Sequence, residues 1–339
     1  MNQDPQAAVN DTEIMITNNS GRAIEFLLER GSLPVLYWLK RDILDVPCER
    51  EIRNLKKYAA RVRILEGQRP DGSWCDKLIE NSAAAARARA IADTLKNLYK
   101  LYDFGCTLDD EEIRKAVVFL FTTQSKQGDF RSVHSDECAP AFHALLLEIL
   151  CRYGLDEDRR VQRGFRWIAR SLAEAEECFP SQSKTPGGGR PRRLSRSREA
   201  QSLRKSQQTF FQFIAGFFVR ALAESSVWKK SRAARQAGEI ILERFPRSEK
   251  SPEPEKPSCW VDITYPFWTN GTLSSLDSLS KLGFDPRDER IRKALAWLMN
   301  RQNNLGYWES EGAVASLEDH LWVTVSVLRI LKRFGIIHA

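Results

Sequence analysis

The sequence predicts an all-α fold in which about six helical hairpins close into a ring of inner and outer helices. Three observations carry this. Gln-x-x-x-Gly-x-aromatic occurs three times: QRPDGSW from Gln68, QSKQGDF from Gln124 and QNNLGYW from Gln302. The starts are 56 residues apart and then 178, about three steps of 59, and a returning motif marks a repeat architecture. Apolar residues recur at helical spacing and give no convincing strand. Successive units also share one order. An aromatic-Gly signal (YDFG, RYG, LGF) precedes a short acidic turn (LDDEE, LDEDRR, DPRDER), which opens a helix of common pattern (IRKAVVFLFTTQ, VQRGFRWIARSL, IRKALAWLMNRQ).

The elements follow in order. Apolar periodicity places helices at about 21–29, 32–44, 48–66, 82–103, 109–123, 137–153, 157–175, 207–224, 229–245, 265–282, 286–301 and 317–334. Ser82, Asp109, Asp156, Asp285 followed by Pro286, and Ser316 are the expected start signals. Gly105, Gly154, Gly283 and Gly335 stand where a left-handed residue closes a helix. The copy at 229–245 is degenerate. The helices after each motif are the more apolar ones (APAFHALLLEIL, TFFQFIAGFFVRAL, LWVTVSVLRIL) and form the expected inner layer. Residues 1–20 are expected to be a flexible leader, and 21–339 one domain with a basic mobile insertion at 183–206.

Composition narrows the class. With 339 residues, 42% hydrophobic and 29% charged, the chain is ordinary for a globular protein. No apolar run reaches the length of about 20 residues that a membrane-spanning helix needs, and the polar N-terminus has no secretory pattern. Seven scattered cysteines without a CxxC pair suit free thiols in a cytoplasmic protein. The net charge is +7, and residues 183–206 hold eight basic residues against Glu199, so that segment accounts for the whole excess. It lacks interleaved aromatics, which argues against nucleic acid as a partner.

In the repeat motif, the glutamine amide suits backbone groups, the glycine permits a turn, and the aromatic ring packs under the next hairpin. Those roles are structural. The turn after each motif feeds the start of an inner helix, and such helix starts favour anions. Polar residues assigned there include His134, Asp136, Asp262, Thr264, Glu318, Asp319 and His320.

The Gln-x-x-x-Gly-x-Trp motif resembles the QW repeat of squalene and oxidosqualene cyclases, whose α/α toroid (an α6/α6 barrel) is shared by the β subunits of protein prenyltransferases. The resemblance covers about residues 30–336 and extends to prokaryotic prenyltransferase-like toroid proteins. It implies an isoprenoid-handling protein that either cyclises a terpenoid or transfers a prenyl group. VDITYPFW at 261–268 is similar to the zinc segment of the prenyltransferase β subunits, and EDHLWVTVSVL to the helix that brings their histidine ligand. By that likeness Asp262 and His320 would be metal ligands, Tyr265 would stand near a diphosphate, and Lys256 would contact it. Thr264 occupies the cysteine position, so the thiolate ligand is missing. Zinc or magnesium is therefore implied by resemblance alone. Squalene-type cyclases protonate with a DxDD motif, which the chain lacks. Asp136 or Asp262 would have to supply the acid.

Phe142, Phe213, Phe217, Tyr265, Trp268 and Trp322 are the aromatics expected to face an isoprenoid, with His134 at the rim. The expected ligand is an isoprenoid or prenyl diphosphate. Peripheral membrane contact is compatible with such a substrate. The alternative expectation is a non-catalytic lipid-binding or protein-interaction toroid.

Overall fold

The computed structural model describes residues 20–75, 82–130, 139–178, 211, 213–243, 263–266, 270–311 and 314–337, with the backbone alone for 176–178. Among them are thirteen helices: α1 (20–30), α2 (Leu33–Asp42), α3 (Glu49–Leu55), α4 (Ala59–Glu66), α5 (Ala83–Asp103), α6 (Glu111–Phe121), α7 (Pro140–Arg152), α8 (Arg159–Cys178), α9 (213–224), α10 (Arg232–Leu242), α11 (Thr272–Lys281), α12 (Glu289–Met299) and α13 (Leu317–Arg333). The described residues contain isolated bridges but no strand. The fold class is the all-α one predicted, and its order of hairpins is consistent with an α/α toroid.

By contacts the chain divides into two compact units, Met1–Thr122 with Phe245–Ala339, and Thr123–Arg244. In the first, α5 packs on α4 and α6, α11 on α12 and α13, and α13 on α2. In the second, α8 packs on both α7 and α10. Some helices are nearly fully buried and others keep an exposed face. In α13 every residue from Leu321 to Leu328 is buried, and in α7 every residue from His143 to Leu150. In α8, by contrast, only the Val161, Phe165, Ile168 and Leu172 side of the helix is fully covered.

Four helices end alike. Gly105, Gly154, Gly283 and Gly335 have φ of 72°, 79°, 72° and 69°. The next residue donates back across the turn: Cys106 to Leu101, Leu155 to Leu150, Phe284 to Leu279 and Ile336 to Leu331, at 2.9–3.1 Å.

The helix starts need correction. Ser82 and Ser316 cap α5 and α13 as expected, accepting from the amides of Ala85 and Asp319. After the acidic turns, however, the last aspartate stands at the helix start, not the first. Asp110, Asp158 and Asp288 precede α6, α8 and α12, where Asp109, Asp156 and Asp285 were expected. The earlier residues are used in a tight turn, in which the amides of Asp110, Asp158 and Asp288 donate to the carbonyls of Thr107, Leu155 and Asp285. Asp158 and Asp288 then accept from the amides of Arg160 and Arg290 at 2.7 and 2.9 Å. The arginine side chains on the same carboxylates hold both below the usual carboxylate range.

Two helices are also shorter than expected. The 48–66 stretch breaks at Lys56–Tyr58, where Tyr58 leaves helical geometry and its ring meets Phe104 edge-on at 5.2 Å. The 265–282 helix begins only at Thr272, because Gly271 is extended at its N-cap (φ −121°, ψ −178°) and the helix propagates only from the next residue.

Candidate functional site

The repeat motif folds into the same lock three times. In each, the glutamine amide donates to the carbonyl of its own glycine: Gln68 to Gly72 at 3.0 Å, Gln124 to Gly128 at 2.8 Å, Gln302 to Gly306 at 2.6 Å. In the first two the same nitrogen also reaches the first turn of the next outer helix, at Glu112 O (2.7 Å) and Arg160 O (2.8 Å). The glycines have φ of 85°, 100° and 92° and lie against a neighbouring helix. A Cβ would stand 2.4 Å from Lys115 O, 2.7 Å from Arg163 O and 2.6 Å from Arg22 Cβ, respectively. The third lock therefore docks on α1, and Tyr307 stacks on Phe26 at 4.2 Å.

The aromatic residues of the locks, Trp74, Phe130 and Trp308, are buried. Both indoles donate to a helix end, Ile64 O at 2.6 Å and Leu298 O at 2.7 Å. Their backbone amides donate to one recurring position of the following buried helix: Thr94 Oγ1 (3.0 Å), His143 Nδ1 (3.1 Å) and Thr324 Oγ1 (3.1 Å). His143 is thus part of a lock. Its Nε2 faces Gly164 O at 3.2 Å, which assigns the proton to that nitrogen. Burial pushes its pKa down to about 4, so the ring is neutral at physiological pH.

A different cluster gathers in the first unit around α13. Tyr265 and Trp322 stack with ring planes 10° apart and centroids at 5.2 Å. The Tyr265 hydroxyl donates to Asp103 Oδ1 at 2.6 Å, at the end of α5. Trp322 Nε1 donates to Glu318 Oε1 at 2.9 Å, and Ser32 Oγ donates to the same oxygen at 2.7 Å. Trp38 Nε1 donates to the Asp103 carbonyl at 2.7 Å. Burial, and then the Glu318 charge, raise the Tyr58 hydroxyl above the ordinary tyrosine value. The aromatic pair is thereby held at both edges by carboxylates carried on α5 and α13. Fixed rings beside carboxylates suit a group that bears or develops positive charge next to an apolar chain.

The expected site residues divide. Tyr265 and Trp322 come together in this cluster. His320 lies on α13 beside it, but its Nδ1 accepts the Ser310 amide at 2.9 Å and its ring faces Tyr307 at 5.9 Å. Phe213 and Phe217 meet edge-on at 5.4 Å in the second unit, where Phe142 is half-buried on α7. Asp136, His134, Lys256, Asp262 and Trp268 lie outside the described residues. Asp103 and Ser32 were not expected. Asp103 sits at a helix end that sequence reading treats as a cap, and Ser32 in a short link between helices.

The implied metal does not fit the donors described. Thr264 offers a neutral hydroxyl where a thiolate is required, and the Nδ1 of His320 is committed to backbone. Among the described residues no group of three ligand-type side chains converges. Cys48, Cys75, Cys106 and Cys151 are not in disulfides, and burial pushes the Cys106 thiol up to about 12. No helix among the described residues is long and apolar enough to cross a membrane.

No protein-family model and no curated protein matches the chain. Several solved structures are similar to it. A protein from Actinoplanes is 14% identical with a TM-score of 0.45, covering 94% of this chain and 99% of that one. The apo type II terpene cyclase MstE from Scytonema is 15% identical with a TM-score of 0.45, covering 96% and 99%. A variant of that cyclase in complex with geranylgeranyl dihydroxybenzoate is 14% identical with a TM-score of 0.45, covering 97% and 99%. The likeness is loose and concerns the helical framework.

Proposed function

We propose that this chain is an isoprenoid-handling enzyme, terpene cyclase-like or prenyl-transferring, that holds a prenyl chain against aromatic side chains. The observation that carries the reading is the Tyr265–Trp322 pair fixed between Asp103 and Glu318. The resemblance of the three locks to the cyclase repeat supports it. The rings supply an apolar, electron-rich surface, and the hydrogen bonds at both edges keep that surface in place without reorganisation. Asp103 orients Tyr265, and Glu318 orients Trp322. Asp136 and Asp262, which the sequence pattern places ahead of buried helices, are the proposed proton donors for cyclisation, and His320 is the third proposed catalytic residue. Lys256 and His134 are proposed to meet a diphosphate, and Trp268, Phe142, Phe213 and Phe217 the hydrocarbon. No step through a metal is proposed.

The test is incubation of the purified chain with squalene, farnesyl diphosphate and geranylgeranyl diphosphate, read by mass spectrometry. A cyclised or transferred product that disappears with Trp322→Ala and is reduced with Tyr265→Phe supports the reading. One observation favours a second reading, a non-catalytic lipid-binding or protein-interaction scaffold: both nitrogens of His143 and Nδ1 of His320 are spent on backbone groups. Absence of product from all three substrates, with binding retained, would select it.

A further inference from the structure

A groove of about 570 Å³ runs along the outer face of α8, lined by Gln127, Arg163, Arg166, Ala169, Arg170 and Ala173. At about 100° per residue, the three arginines fall within about 60° of one another on the helix. The opposite side carries the buried Val161, Phe165, Ile168 and Leu172. Each guanidinium gives one hydrogen bond to a neutral acceptor. Arg163 Nη2 donates to Gln124 Oε1 at 3.3 Å, Arg166 Nε to Gln162 O at 3.2 Å, and Arg170 Nη2 to Gln127 O at 3.2 Å. These bonds hold the groups in place without bringing a carboxylate to them among the described residues.

None of the three has a carboxylate partner among the described residues, and Glu174, one turn beyond Arg170, pairs with none of them. Arginines nearby behave differently. Arg160, on the same helix, grips both oxygens of Asp158 at 3.0 and 2.7 Å. Arg152, on α7, is held by Glu148 and Glu224 at 2.6 and 3.0 Å. In the groove, by contrast, three neighbouring guanidinium groups share one helix face with no carboxylate on them among the described residues. Ala169 and Ala173 line the groove beside the arginine row and add only a methyl group each.

We propose that this groove binds a phosphate-bearing anion with more than one phosphoryl oxygen to offer, such as a diphosphate. A guanidinium fork matches two oxygens of one phosphate, and a row of three matches a linear oxyanion better than it matches a single carboxylate. The volume lies within the range of about 300–1,000 Å³ typical of small-molecule sites. Gln124 links the groove to the second lock, since its Nε2 serves the lock and its Oε1 orients Arg163. The site lies in the second unit and does not depend on what the Tyr265–Trp322 cluster binds.

The test uses the full chain and two phosphate sources. Inorganic diphosphate is titrated calorimetrically at low salt, and flotation is measured with phosphatidylcholine vesicles with and without phosphatidylglycerol. Arg166→Gln/Arg170→Gln alters the groove, and Arg192→Gln/Arg193→Gln alters the basic segment as a control, with circular dichroism confirming helical content. The expected result is saturable diphosphate binding that weakens about tenfold or more in the groove variant and is unchanged in the control. Binding to anionic vesicles alone, lost in the groove variant, supports the site and assigns the phosphate to a lipid headgroup. Binding to neither probe, binding that survives the groove variant, or binding lost only in the control overturns the proposal.

Discussion

Gly128→Ala tests the lock more sharply than any change at its aromatic ring. Gly128 has φ of 100°, and a Cβ there would stand 2.7 Å from Arg163 O and 2.9 Å from Arg163 C, both backbone atoms of α8. Gly154, in the same unit, supplies the control: its φ is 79°, and a Cβ would meet nothing within 4 Å. The left-handed conformation alone costs an alanine about 1–2 kcal/mol, so Gly154→Ala should lose that much. Gly128→Ala should lose a further 1–3 kcal/mol, roughly, because helix backbone must yield to a methyl group. Urea unfolding of the two variants, followed by tryptophan fluorescence and far-ultraviolet circular dichroism, measures the difference. Equal losses in the two would refute the idea that the glycine is required by close approach of α8.

Other outcomes follow from the same contacts. His143 has a folded-state pKa of about 4 against about 6.5 in the unfolded chain, so the unfolded state takes up the proton first. Its contribution is complete above about pH 6.5 and is lost as the pH falls towards about 4, on the order of 3 kcal/mol, and His143→Gln should flatten that part of a stability–pH curve. Glu148 is buried with Arg220 at 2.8 Å and Arg152 at 2.6 Å, so Glu148→Leu should cost about 3–5 kcal/mol by stranding buried positive charge, seen as a lowered unfolding midpoint. The Cys106 thiol should resist iodoacetamide in the folded protein and react once urea exposes it, as peptide mass mapping would show. Tyr265→Phe should destabilise by about 1 kcal/mol through the lost bond to Asp103, and Trp322→Ala by about 3–5 kcal/mol.

The locks were the most legible part of the chain, because glycine and the buried aromatic are dictated by backbone conformation and volume at fixed spacing. Most helix termini were legible to within two or three residues, but α11 starts seven residues after the expected 265, at Thr272. Each acidic turn offers several aspartates, and which of them caps is decided by a turn closed first between backbone groups, as at Thr107 and Asp110. The position that receives the aromatic amide has no fixed place counted forward from the motif, since Trp74 to Thr94, Phe130 to His143 and Trp308 to Thr324 differ in length. Counted back from the closing glycine it is constant: Thr94, His143 and Thr324 each stand 11 residues before Gly105, Gly154 and Gly335. Thr272, buried at the start of α11, stands 11 before Gly283. The Asp103–Tyr265 bond spans 162 residues and leaves no local signature, so only its aromatic half was read in advance.

The most direct test of the proposed function is photo-crosslinking with a geranylgeranyl diphosphate analogue that carries a diazirine on the hydrocarbon, followed by peptide mapping. The account predicts label on the peptides that hold Tyr265 and Trp322, reduced by competing unlabelled geranylgeranyl diphosphate. Label confined to other parts of the surface, or none above a denatured control, would contradict it.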